Sequence, residues 1–136
     1  LTGRAAECLR LDFGVYELVR ALCLHAAGRT EEARAMVRAA EDRLTDTGID
    51  DPSYLPELTA QDLAAYYGYV GDAAAAGRWV EYAFELSPAG VDERILGSAL
   101  FDPVRDRPEY SAALTAARED ARARVFSARR SVESPL

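Results

Sequence analysis

Residues 58–88, with the sequence LTAQDLAAYYGYVGDAAAAGRWVEYAFELSP, contain the pattern that decides the fold. Two runs of apolar residues recur there at helical spacing, one on each side of Gly71-Asp72, and the second ends at Ser87-Pro88. The apolar positions are Ala60, Leu63, Ala64 and Tyr67 in the first run and Ala76, Val80 and Ala83 in the second. The stretch therefore predicts two helices joined by a tight turn.

Residues 15–45 repeat this arrangement around Gly28, which lies 43 residues before Gly71. Glycine is common just after the last residue of a helix, so both glycines are predicted to end one helix and allow the next. Thr30 is predicted to cap the second helix of the first copy. The equivalent positions are Ala21, Leu24, Ala33, Val37 and Ala40 in the first copy and Ala64, Tyr67, Ala76, Val80 and Ala83 in the second.

Together these spacings resemble the tetratricopeptide repeat (TPR), whose pattern is W-x2-L-G-x2-Y, then A-x3-F, then P. Alanine stands here for the tryptophan and valine for the phenylalanine. The usual period is 34 residues, so about nine residues are extra, and they fall in the polar segment 46–57. The resemblance implies an all-α fold of antiparallel helical hairpins stacked as a short TPR-like solenoid with a C-terminal capping helix.

A second resemblance lies in residues 101–110, FDPVRDRPEY. This stretch is similar to the segment that ends many bacterial TPR modules fused to adenylate cyclases, serine/threonine kinases or winged-helix regulators. In such modules an aspartate–arginine pair pins the turn, which implies a pair between Asp102 and Arg105. Phe101 and Tyr110 offer aromatic rings to the last repeat, and the charged, periodic run from Glu109 predicts the capping helix.

These patterns predict one domain over residues 1–136. Its parts are repeat one (15–45), an inserted loop (46–57), repeat two (58–88), a cap (89–126) and a tail (127–136). The chain does not begin with methionine, so we expect it to be a piece of a longer chain. We expect the edge of the first hairpin to be covered by a short helix within residues 2–11 or by a second copy in a homodimer.

Composition is that of a globular protein, with 49% hydrophobic and 29% charged residues. No apolar run approaches the roughly 20 residues of a membrane span, and no signal peptide is evident, which predicts a cytoplasmic protein. The net charge of -7 disfavours nucleic acid and membrane surfaces as partners. All 16 basic residues are arginine, which suggests a bacterial genome rich in GC. The arginines of residues 118–130 are interpreted as a solvated helix face.

No motif predicts catalysis, a metal site or a cofactor. His25 is the only histidine and has no nucleophile or second ligand at a recognisable spacing. Cys8 and Cys23 show no C-x-x-C spacing, so they are interpreted as reduced, buried thiols, with a disulfide as the minor alternative. The sequence therefore predicts a protein that is not an enzyme.

The predicted function is a non-catalytic interaction or scaffold module, the C-terminal part of a bacterial regulatory protein. Its partner would be a protein or peptide segment, including another domain of the same chain. The alternative is a small-molecule sensor that regulates an attached output domain. The resemblance implies a concave binding face made by the first helix of each hairpin, formed here by Val19, Leu22, His25, Gln61, Asp62, Ala65 and Tyr69. Because no cationic side chain lies there, the expected ligand has apolar anchors and basic flanks. Two other outcomes stay open: Leu22 and Ala65 pack only on each other, or the loop 46–57 is the binding surface.

Overall fold

The regular structure of the described residues is entirely helical. The computed structural model describes residues 5–8, 17–46 and 54–133. Its helices are α1 (Ala5–Cys8), α2 (Glu17–Ala26), α3 (Thr30–Thr45), α4 (Pro56–Val70), α5 (Ala73–Leu86), α6 (Glu93–Leu96), a 3₁₀ helix (Ala99–Phe101) and α7 (Pro108–Glu133). Within these ranges no residue belongs to a β-strand. The predicted all-α class is confirmed, whereas the TPR-like stacking stays a prediction.

The chain divides into two compact units, Leu1–Leu55 and Pro56–Leu136. The first contains α1 to α3 and the second contains α4 to α7. Their boundary falls inside the predicted inserted loop 46–57, of which residues 47–53 lie outside the described part of the chain. Each unit therefore holds one of the two predicted hairpins.

The turns at Gly28 and Gly71 have the same geometry. Both glycines have positive φ, +82° and +86°. An added Cβ would meet no atom within 4 Å at either position, so backbone conformation, not space, requires glycine. The hydrogen bonds run from Gly28 N to His25 O (3.0 Å) and Arg29 N to Leu24 O (2.9 Å), and from Gly71 N to Gly68 O (3.2 Å) and Asp72 N to Tyr67 O (2.9 Å). Both turns are Schellman motifs, related by a shift of 43 residues.

The helices that follow these turns start differently. The side chain of Asp72 accepts a hydrogen bond from Ala75 N at 3.1 Å and caps α5. At the equivalent position in the first unit, Arg29 provides no cap, and its guanidinium instead bonds to Glu32. The predicted cap at Thr30 was wrong, because Thr30 is already the first residue of α3.

The core of the second unit depends on two glycines where helices cross closely. A Cβ on Gly68 of α4 would lie 2.9 Å from Cδ1 of Phe101, and one on Gly77 of α5 would lie 2.9 Å from the carbonyl oxygen of Glu109. Phe101 and Tyr110 are buried and stack with ring centroids 5.4 Å apart. The segment after α5 therefore packs directly onto the α4/α5 hairpin.

The last helix is longer than predicted. α7 runs from Pro108 to Glu133, so the prediction that helical structure ends within the cap 89–126 was wrong, and most of the tail 127–136 is helical. Residues 134–136 lie outside the described residues. No glycine or proline occurs between Pro108 and Pro135, and alanine and arginine are good helix formers. Ala121 is the last buried residue among the side chains described in residues 108–130, and helix propensity accounts for the continuation of α7 beyond it.

Cys8 of α1 and Cys23 of α2 form a disulfide bond, with Cα atoms 5.8 Å apart. The prediction of two reduced thiols was therefore wrong. Cys23 is only 1% exposed, and α1 packs against α2, which brings the two side chains together. Disulfides are typical of oxidising compartments, so the cysteines no longer favour the predicted cytoplasmic localisation, which stays a prediction.

We expect reduction of this disulfide to destabilise the first unit by about 3 kcal/mol, because the bond closes a loop of about 15 residues. Thermal melts with and without dithiothreitol measure the effect. The Cys8→Ala/Cys23→Ala double variant is the control, and its melting temperature should not respond to dithiothreitol. Complete alkylation of both cysteines in denaturant without reductant would show that the bond is not formed.

Candidate functional site

Three residues of the predicted concave face lie on α2 in the first unit. Leu22 is only 8% exposed, while Val19 and His25 are half-buried. His25 is in the last turn of α2, where its carbonyl oxygen accepts the hydrogen bond from Gly28 N. Leu22 therefore offers little surface to a ligand, and Val19 and His25 offer more.

The other four predicted residues lie on α4, and two of them serve the interior of the second unit. Gln61 is 2% exposed; its Nε2 donates to the carbonyl oxygen of Glu57 (3.3 Å), and its Oε1 accepts from Asp92 N (3.0 Å). Ala65 is 5% exposed and belongs to the apolar core. Both polar atoms of this buried amide thus have hydrogen-bond partners, as is usual for buried polar groups. The Gln61 side chain links α4 to the start of α6 and has little surface left for a ligand. Of this group, Asp62 and Tyr69 remain half-buried.

Asp62 has a perturbed acidity. Burial raises the pKa of its carboxyl to about 6, since the charged form loses hydration. Among the described residues, no hydrogen bond or ion pair stabilises the carboxylate. At neutral pH the chain therefore holds an uncompensated, half-buried negative charge on α4.

We expect Asp62→Asn to stabilise the chain at pH 7.5 and to have little effect near pH 4. The folded pKa lies above the unfolded value near 3.9, so the native state binds the proton more tightly and its stability falls as pH rises from about 4 to about 6. The variant should gain up to about 3 kcal/mol at pH 7.5. Urea unfolding at both pH values measures this difference.

Asp106→Asn is the matched control, because Asp106 is exposed. It should leave the pH dependence of unfolding as in the wild type. Equal effects of the two substitutions at both pH values would contradict the assignment to Asp62.

The 101–110 motif holds the turn before α7. The predicted pair is confirmed: Arg105 Nη2 lies 3.1 Å from Asp102 Oδ1. The same guanidinium donates to the carbonyl oxygens of Leu96 (3.2 Å) and Ser98 (2.7 Å). These four groups fix the turn between α6 and α7, so the motif has a structural role.

A groove of about 430 Å³ lies between the C-terminal end of α5 and the C-terminal half of α7. Its apolar lining includes Phe84, which is buried, and Phe126, which is 63% exposed. Val125 lies between them in the lining and is half-buried. α7 continues here beyond its last core residue, Ala121, so one side of the groove is open to solvent.

Arginines give the groove a positive charge in an acidic protein. Its lining contains Arg118, Arg122, Arg129 and one acidic residue, Glu93. Arg118 pairs with Glu93, and its Nε donates to Oε1 of Glu93 at 3.2 Å. Arg122 and Arg129 are exposed and have no hydrogen-bond or ion-pair partner among the side chains described in residues 18–46 and 54–130. Arg122, Arg124, Arg129 and Arg130 are exposed, as the sequence interpretation of a solvated helix face expected. The interpretation did not include the groove, because the residues of α5 and of the α5–α6 connection that line it meet α7 only through its packing.

No group of three histidine, cysteine, aspartate or glutamate side chains in residues 5–8, 17–46 and 54–133 could hold a metal ion. Across the same ranges, no helix combines the length and apolar character needed to cross a membrane. Comparisons with protein-family models, curated proteins and solved structures found no match to the chain.

Proposed function

We propose that the chain is a non-catalytic protein–protein interaction module built from TPR-like helical hairpins. The observation that carries the proposal is the groove between α5 and α7, where Phe126 is 63% exposed beside two exposed arginines, Arg122 and Arg129. Exposed apolar surface joined to unpaired charge is characteristic of surfaces that bind other proteins. The duplicated Schellman turns support a repeat scaffold carrying this surface.

The second candidate function is a small-molecule sensor. Its supporting observation is the groove volume of about 430 Å³, since ligand pockets range from about 300 to 1,000 Å³. A small ligand is normally enclosed on most sides, however, and the exposed Phe126 leaves this groove open along α7. The open shape favours a peptide segment over a metabolite.

A peptide-display selection on the 136-residue chain tests the proposed function. We expect enriched peptides that bind in calorimetry with dissociation constants of about 100 μM or tighter, as is common for short segments in open grooves. A parallel panel of metabolites is screened by the shift in melting temperature. If a metabolite raises the melting temperature and no peptide binds, the result would contradict the interaction module and support the small-molecule sensor.

A further inference from the structure

The groove between α5 and α7 carries a more specific inference, which rests on the proposed function. We propose that it binds an acidic segment of another protein, anchored by one or two apolar side chains. The anchors would pack between Phe84, Val125 and Phe126, and the carboxylates would pair with Arg122 and Arg129.

The spacing of the arginines supports this pairing. Arg122 and Arg129 are seven residues apart, so they lie on one face of α7 and about 10 Å apart along the helix axis. Val125 and Phe126 lie between them along the helix and line the same groove. An apolar patch is thus bounded along α7 by two cationic groups, which an anchor flanked by acidic residues would match.

Two nearby acidic side chains pair with other arginines of α7. Arg118 pairs with Glu93, and Arg124 pairs with Asp120 at 2.9 Å. Arg130 lies over the ring of Phe126, 5.8 Å from its centroid, and adds a further positive charge beside the patch. Guanidinium groups form strong, often bidentate hydrogen bonds with carboxylates, so they provide both affinity and orientation.

The charge of the groove indicates the chemical class of its partner. The chain carries a net charge of -7, yet the groove lining has three arginines and one glutamate. The negative charge on the rest of the protein surface would repel a long polyanion such as a nucleic acid. A short acidic segment would contact only the groove and would avoid most of this repulsion. This partner differs from the one with basic flanks expected for the α2 and α4 face.

Fluorescence anisotropy with designed peptides tests the proposal. The probe is a labelled 12-residue peptide with two leucines four residues apart and glutamates at the flanking positions; its matched control replaces every glutamate by glutamine. We expect the acidic peptide to bind the wild-type chain at least about ten-fold more tightly, and its binding to weaken as salt rises from about 0.05 to 0.5 M.

Substitutions then locate the site. Arg122→Gln/Arg129→Gln should weaken binding of the acidic peptide about ten-fold or more. Arg38→Gln/Arg78→Gln removes the same charge from two exposed arginines outside the groove and should change affinity less than about two-fold. All four positions are exposed, so melting temperatures should stay the same.

Several results would overturn the inference. One is an equal loss of affinity for the acidic peptide in the two double variants, and another is tighter binding of the glutamine peptide. A third is tighter binding of an oligonucleotide that has the same charge as the acidic peptide. The fourth is self-association of the chain that only the groove substitutions abolish. If display selection yields tight peptides that the groove substitutions do not affect, the interaction module stands and this site fails. If neither selected nor designed peptides bind, both proposals fail.

Discussion

Removal of residues 108–136 is expected to abolish the cooperative unfolding of the second unit. α7 covers the face of α5 that contains Gly77, and Tyr110 is 1% exposed in the shared core. Without α7, Val80 and Phe84 would be left in water together with other apolar core residues. Thermal melts followed by circular dichroism, with binding of an apolar dye, should show a broad transition and exposed apolar surface.

A shorter deletion provides the control. Removal of residues 127–136 retains Tyr110, Ala117 and Ala121, the buried residues of α7 among those with described side chains, so the melting transition should remain sharp. A sharp transition at an unchanged temperature after the 108–136 deletion would show that α7 is not needed to close the core.

Phe101→Ala is expected to destabilise the second unit by about 3–5 kcal/mol. Phe101 is fully buried, stacks on Tyr110 and contacts the backbone of α4 at Gly68. Its removal leaves a cavity that the fixed turn around Arg105 cannot close by moving inward. Urea unfolding monitored by circular dichroism measures the loss.

Two substitutions separate the packing of Phe101 from a general loss of aromatic rings. Phe126→Ala removes a ring that is 63% exposed and should cost less than about 0.5 kcal/mol. Tyr110→Phe keeps the stacked ring and removes a buried hydroxyl that has no hydrogen-bond partner among the described residues, so stability should be unchanged or slightly higher. Equal losses for Phe101→Ala and Phe126→Ala would contradict the assigned core.

The parts of the fold that could be predicted from sequence are those with a local cause. The turns at Gly28 and Gly71 follow from the positive φ that glycine tolerates, and apolar spacing marks the helices on each side. The pair between Asp102 and Arg105, which the resemblance of residues 101–110 implied, is also local, because the two residues are three apart. Such features need no knowledge of distant contacts.

The features that were missed depend on distant packing. Cys8 and Cys23 meet because α1 lies against α2, and their spacing carries no signal of pairing. Gln61 is buried where the backbone of Asp92, 31 residues later in the chain, donates a hydrogen bond to its Oε1. For the candidate groove, the cluster of arginines on α7 could be recognised in the sequence. That Phe84 of α5 lies across the groove from them could not be predicted.

Gly68 and Gly77 make the helicity of the second hairpin depend on what docks against it. Each glycine lies inside a helix, where it costs about 1 kcal/mol relative to alanine. The missing methyl groups let Phe101 and the start of α7 approach the backbone, so packing offsets this cost only after the rest of the unit has docked. In folding, α4 and α5 are thus weak helices when alone, and the hairpin becomes fully ordered together with the segment that covers it.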